Sequence, residues 1–192
     1  MRLILIGHDC RYAIEQSLLA FFPQERPVYE GEGEPWAEVR LLEGRRYHTA
    51  VTTIAMDGRR TRGSARAELK AIADPYERER EQQKILKLSF FKAASALTGT
   101  VPPWGALTGI RPAKLAARLL SQGHSRRETD RILRDTYFVS PVRRRLCLDA
   151  AETALRADAD LEERDISLYV GIPFCPTRCA YCSFVSNSVE KS

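Results

Sequence analysis

Cys175, Cys179 and Cys182 stand in the spacing C-x3-C-x2-C, which places three of the five cysteines of the chain within eight residues. The loop that carries them follows a β-like run from Ile166 to Ile172. Three thiolates on one tight loop can ligate three irons of a 4Fe-4S cluster and leave the fourth iron open. The amino and carboxylate groups of S-adenosylmethionine can chelate such an iron. An electron from the cluster then cleaves the sulfonium to a 5′-deoxyadenosyl radical. Other uses of the thiols fit less well. A structural zinc site is usually closed by four Cys or His ligands, and neither residue type follows Cys182. A disulfide framework suits an even cysteine count and a secreted chain. The start Met1-Arg2-Leu3-Ile4-Leu5-Ile6-Gly7-His8-Asp9 is too short an apolar run for a signal peptide.

The loop resembles the signature of the radical S-adenosylmethionine superfamily, which has an aromatic residue directly before the last Cys, here Tyr181. Its lead-in, Tyr169-Val170-Gly171-Ile172-Pro173-Phe174-Cys175, is similar to that of oxygen-independent coproporphyrinogen III oxidases (coproporphyrinogen dehydrogenases), which read Tyr-Val-His-Ile-Pro-Phe-Cys. Gly171 replaces the family's His, and Ser183-Phe184 stands where some members carry Gly-Cys. Together with the long preceding region, these departures look like the branch with an additional N-terminal extension.

The resemblance implies that Cys175, Cys179 and Cys182 hold the cluster. It implies that the Tyr169 hydroxyl approaches bound S-adenosylmethionine and that the backbone around Tyr181 binds its adenine. The reaction it implies belongs to heme biosynthesis. A hydrogen is taken from the β-carbon of a porphyrinogen propionate, and loss of carbon dioxide and one electron leaves a vinyl group. An electron donor is required. Relatives with this lead-in include a heme chaperone without oxidase activity, so a non-catalytic heme carrier is the alternative.

The same resemblance implies a partial βα barrel with the cluster at the end of its first strand, where barrels place their active sites. Ser192 comes ten residues after Cys182, too few for further βα units. The expectation is an N-terminal portion of a longer enzyme, inactive by itself.

The elements ahead of the loop follow from periodicity. Residues 3–6 are a short apolar run, as in a strand covered on both faces. Ile14, Leu18 and Phe21 or Phe22 mark an amphipathic helix ended by Pro23. Trp36 to Leu42 and Tyr47 to Met56 alternate with period two around Glu43-Gly44-Arg45, as a hairpin does. From Arg62 onward the pattern reads as helical. Asp74-Pro75-Tyr76-Glu77 looks like a capping box with Pro at the first helical position, and Leu86, Phe90, Ala94 and Leu97 share one face. Two prolines and two glycines between Thr98 and Gly105 must end that helix. Further helices are expected from Pro112, from Ser125 and from Ser140-Pro141, the last with Val142, Leu146, Ala150 and Ala154 on its apolar face. The fold class expected is α/β: a β-α-β-β module over 1–60, a helical accessory region over 61–160, and the beginning of the barrel over 161–192.

Two further stretches can carry function. The loop Trp104-Gly105-Ala106-Leu107-Thr108-Gly109-Ile110-Arg111-Pro112 can offer Arg111 to a substrate carboxylate through its bidentate guanidinium. Residues 112–145 look like a helix-turn-helix with arginines on its last segment, but their turn is about one helical turn too long. A helical bundle explains the same caps and is preferred, with a nucleic-acid-binding protein using this segment kept beside the heme carrier as an alternative. Cys147 reads as a small buried hydrophobe, and His8, His48 and His124 have no metal-ligand spacing.

A net charge of +5 fits an anionic partner as well as an ordinary solvated surface. With 44% hydrophobic and 29% charged residues and no run long enough to span a bilayer, the chain reads as a soluble cytoplasmic protein.

Overall fold

Strand β1 (Arg2–Ile6) and strand β2 (Trp36–Glu43) lie parallel, with Leu3 opposite Ala37 and Leu5 opposite Val39. Parallel neighbours need a crossover, and helix α1 (Arg11–Phe21) supplies it. Strand β3 (His48–Met56) returns antiparallel to β2, and strand β4 (Arg59–Ala67) antiparallel to β3, giving the sheet order β1-β2-β3-β4. The β3–β4 turn is Asp57-Gly58, with φ of 52° and 71°. Positive φ at both residues is what the tightest hairpin turn requires. The computed structural model describes residues 1–69, 72–108, 111–162, 164–166, 168–177 and 187–188. Contacts divide the chain into two units, Met1–Arg156 and Ala157–Ser192.

Alternation sends Ala37, Val39, Leu41, Ala50, Thr52 and Ile54 to one face, where they are buried. Helix α2 (Pro75–Thr98) packs across β3 and β4 on that face and contributes Ile85, Leu86, Phe90, Ala93, Ala94 and Leu97 to the core. Burying Phe90 alone is worth about 1.5–3 kcal/mol. Two of the polar side chains on this face are paired, since burial penalises an unpaired group: the hydroxyls of Thr52 and Ser89 lie 2.7 Å apart, and Thr61 Oγ1 donates to the Ala93 carbonyl at 2.8 Å, whereas both ring nitrogens of the buried His48 have no partner among the described residues.

A second core joins Leu107, Leu115, Leu133, Val139, Cys147, Leu148 and Ala151. It is built by helices α3 (Pro112–Ser121), α4 (Arg126–Asp135) and α5 (Pro141–Ala159). The expected boundaries hold here for local reasons. Asp74 caps α2 by accepting from the Tyr76 N–H at 3.0 Å. Ser125 and Glu128 form both halves of a capping box. Gly99, at φ 70°, closes α2.

The structure departs from the sequence reading in three elements, while its class is mixed α/β as expected. Residues 59–67 are a strand, not the start of a helical region. Their core-facing side is Thr61, Gly63, Ala65 and Ala67, so no apolar alternation announces it. Side chains there are small because α2 lies close. A Cβ on Gly63 would run into the Ser89 carbonyl oxygen and come within 2.5 Å of the Ala93 nitrogen.

On α5 the buried residues are Cys147, Leu148 and Ala151, whereas Val142 and Leu146 are 75% and 52% exposed. The stripe chosen by spacing therefore faces away from the second core. Finally, the run 166–172 forms no strand among its described residues, and Ile166, Leu168, Val170 and Ile172 are exposed. A strand needs a neighbour for its ladder. Among the described residues that follow α5, only strand β5 (Phe174–Cys175) has one, the parallel strand β6 (Asn187–Ser188). The described residues do not show a barrel: beyond the four-stranded sheet they form only this two-residue pair.

Candidate functional site

Of the three loop cysteines, Cys175 lies in β5 with a free, half-buried thiol. Cys179, Cys182 and Tyr181 lie outside the described residues. Tyr169 is 88% exposed, and a Cβ on Gly171 would lie 3.2 Å from its Cε1 atom. Among the described residues no three His, Cys, Asp or Glu side chains come together as a metal site. Burial pushes the thiols of Cys10 and Cys147 up from their ordinary range. That is the reverse of what a thiolate ligand needs, in keeping with a structural role for both.

Arg111 is placed where two basic stripes meet. Arg80, Lys84 and Lys87 succeed one another at i, i+4 and i+7 on α2, and Arg111, Lys114 and Arg118 follow at i, i+3 and i+7 from the N-cap of α3 to its last turn. Residues at such spacing share a helix face. All six line one cleft of about 460 Å³. Leu88, Ala106, Leu107 and Leu115 give it an apolar wall, and each is buried. A neighbouring hollow of about 310 Å³ shares Arg80, Lys84, Arg118 and Tyr137 with it.

The charge of the cleft is unbalanced. Glu81 is its acidic residue, and that carboxylate is held by Lys84 at 2.8 Å. Glu77, exposed, lines the neighbouring hollow. Among the described residues, Arg80, Lys87, Arg111, Lys114 and Arg118 have no carboxylate within ion-pair distance. Lys87 is half-buried and donates from Nζ to the Thr108 carbonyl at 2.8 Å. Desolvation by burial lowers its pKa below the usual lysine value, the nearby Cys10 thiol opposing this in part. Helix α3 opens at the same place with no side-chain cap and no acidic residue in its first turn. Its N-terminal N–H groups and dipole add to the positive field. Burial also raises the pKa of Tyr137, with Lys84 partly opposing it, so the phenol stays a hydrogen-bond donor at neutral pH.

Sequence reasoning singled out Arg111 and missed its five companions. The signal for them was the matched i, i+3/i+4 spacing of basic residues on two helices, which is invisible until the helices are seen side by side.

Three arginines of the helix-turn-helix-like segment make contacts within the fold. Arg126 pairs with Asp149 at 2.6 Å and with Glu152 at 2.5 Å. Arg144 binds Asp130 and the Val139 carbonyl, each at 2.8 Å, and the Arg143 guanidinium sits 5.4 Å from the Trp104 ring centre. No helix among the described residues is long and apolar enough to cross a membrane.

Comparison with known proteins extends the resemblance seen in the cysteine loop. Over 113 residues the chain is 33% identical to the oxygen-independent coproporphyrinogen-III oxidase-like protein HemZ of Bacillus subtilis (strain 168). The match covers 58% of this chain and 23% of that protein. It is much longer than the cysteine loop and so takes in residues of the region before it. This chain is thus similar to a coproporphyrinogen oxidase-like protein of which it spans about a quarter. No family model matches. A crystal structure of protein VC0702 from Vibrio cholerae aligns with 84% of this chain and all of that one, at 13% identity and a TM-score of 0.26. That likeness is too slight to bear on the fold.

Proposed function

We propose that the chain is part of a radical S-adenosylmethionine protein that oxidatively decarboxylates porphyrinogen propionates to vinyl groups. The observation that carries this reading is C-x3-C-x2-C behind the Tyr169–Phe174 lead-in, joined to the 33% identity with a coproporphyrinogen oxidase-like protein. Cys175, Cys179 and Cys182 would hold the 4Fe-4S cluster as thiolates. Cys175 fits that role, being free, reduced and partly open to solvent. When bound, the cluster supplies the electron that cleaves S-adenosylmethionine.

The chain's own residues do the rest of what this region contributes. Tyr169 offers its exposed hydroxyl to the cosubstrate, and the backbone at Tyr181 offers hydrogen-bonding groups to adenine. Pro173 and Pro176 restrict φ on either side of Cys175 and so limit the orientations of its thiol. We assign residues 1–60 and 61–160 to an accessory region and 161–192 to the start of the catalytic unit, working in the cytoplasm with a separate electron donor.

The test is anaerobic reconstitution of the full-length protein with iron and sulfide, then assay with coproporphyrinogen III and S-adenosylmethionine. The expected result is an oxygen-labile cluster, reductive cleavage of S-adenosylmethionine, and a product lighter by carbon dioxide. Cluster formation and cosubstrate cleavage without porphyrinogen turnover would retain the radical class and remove the substrate. Failure to form a cluster would remove both.

A further inference from the structure

We propose that the cleft between α2 and α3 is a binding site for a small molecule with an apolar body and two or more carboxylates. The choice of ligand rests on the function proposed above, because a porphyrinogen is a molecule of this kind. The location rests on geometry alone. Three observations point the same way.

First, the cleft gathers six basic side chains from two helices, and the one acidic residue lining it is already paired. Like charges gathered along one cleft repel. Lys87 carries a separate cost, since it is desolvated by burial and faces a carbonyl rather than a carboxylate. An anion in the cleft relieves the repulsion. Second, Leu88, Ala106, Leu107 and Leu115 give an apolar surface directly behind the cations. A bare phosphate or an extended polyanion would leave that surface unused. An apolar body with carboxylates at its rim covers it and brings the charges to the basic residues. Third, the cleft has the size of small-molecule sites, about 300–1,000 Å³, and continues into the neighbouring hollow past Tyr137. Arg111 and Arg118 can each take a carboxylate through two parallel N–H donors, while Lys114 and Lys87 act as point charges.

The residues lining the cleft all belong to the unit Met1–Arg156. The cleft would hold a polycarboxylate in the accessory region, whether as a store feeding the reaction or as a sensor of its substrate.

The test uses coproporphyrin III, the stable oxidised ring, added to the 192-residue chain and followed by its visible absorption. Saturable one-to-one binding is expected, weakened at least about tenfold in Arg111→Glu/Lys114→Glu, since each change removes a charge-assisted contact and adds repulsion. The same charge change at Arg59→Glu/Arg62→Glu, on the exposed end of β4, leaves affinity as it was. Arg111 and Lys114 are exposed, so the variants should fold. If circular dichroism shows otherwise, Arg111→Gln/Lys114→Gln carries the same prediction in milder form.

Coproporphyrin tetramethyl ester, with the same ring and no charge, should bind at least about tenfold more weakly, and ATP at matched ionic strength should not displace the porphyrin. Equal affinity in the Arg111/Lys114 variants overturns the site. Equal affinity for the ester makes it a merely apolar groove, and displacement by ATP makes it a phosphate site. Both of those results also overturn the proposal. None of these measurements needs a cluster. Loss of S-adenosylmethionine cleavage in the full-length assay would therefore defeat the catalytic reading while leaving the cleft's result standing, and the reverse holds as well.

Discussion

His8 is held in one tautomer by two backbone groups. The Cys10 N–H donates to Nδ1 at 3.2 Å, so Nε2 carries the proton and donates to the Val39 carbonyl at 3.2 Å. Protonating Nδ1 would set two donors against each other. Desolvation lowers the imidazole pKa from 6.5, only partly opposed by Val39 and Asp9. Because the folded state binds this proton less readily than the unfolded chain, stability is full above pH 6.5 and falls as pH drops through the lowered value. Thermal midpoints should decline between about pH 7.5 and about pH 5.5, and the decline should be shallower in His8→Gln. An identical slope in that variant would place the acid sensitivity elsewhere.

The cysteines give a second prediction at this scale. Cys179→Ala should abolish the visible absorbance of the reconstituted full-length protein, whereas Cys147→Ala, at a buried core position, should keep it. Equal loss in both would mean the ligand set is misassigned.

At the scale of elements, the contact of α2 with β4 depends on an absent side chain. Gly63 lets the helix backbone approach the sheet, and any Cβ there meets the backbone of Ser89 and Ala93. Gly63→Ala should therefore destabilise the protein by about 1–3 kcal/mol, read from urea unfolding. The neighbouring Ser64→Ala, on the exposed side of the same strand, should change stability by less than about 0.5 kcal/mol. The capping box of α4 is the other local device that can be measured. Ser125→Ala removes one half of it and should cost about 1 kcal/mol. Loss of much less than that would mean neighbouring packing, rather than the cap, fixes the start of α4.

At the scale of the molecule, contacts change character at Arg156/Ala157. We propose that the accessory region ends in the acidic stretch Asp158 to Asp165, where α5 stops and exposed residues begin. Limited proteolysis of the full-length protein should cut there first, because a nick requires chain that can leave its neighbours without breaking a core. First cleavage within α2 or α3 would refute that boundary.

How much of this was legible beforehand differs from one residue to the next, and the difference has a physical cause. Interactions between near neighbours in sequence were readable. The cysteine spacing, the caps at Asp74 and Ser125, the stop after Thr98 and the Trp36–Met56 hairpin each depend on a few consecutive residues, whose backbone preferences act locally. The Asp57-Gly58 turn is of this kind too, but the strand after it lacks the large apolar residues that would mark a hairpin partner. What depended on distant partners was not readable. Strand β4 exists because α2 lies over its glycine and alanines. The buried side of α5 is Cys147–Leu148–Ala151 rather than Val142–Leu146 because α3 and α4 meet it there. Likewise six basic residues from α2 and α3 come to line one cleft only in the folded chain. A side chain's neighbours along the chain are set by covalent spacing, but its neighbours across the core are set by which packing buries the most apolar surface at least polar cost. That second choice belongs to the whole fold, and no single stretch of the sequence contains it.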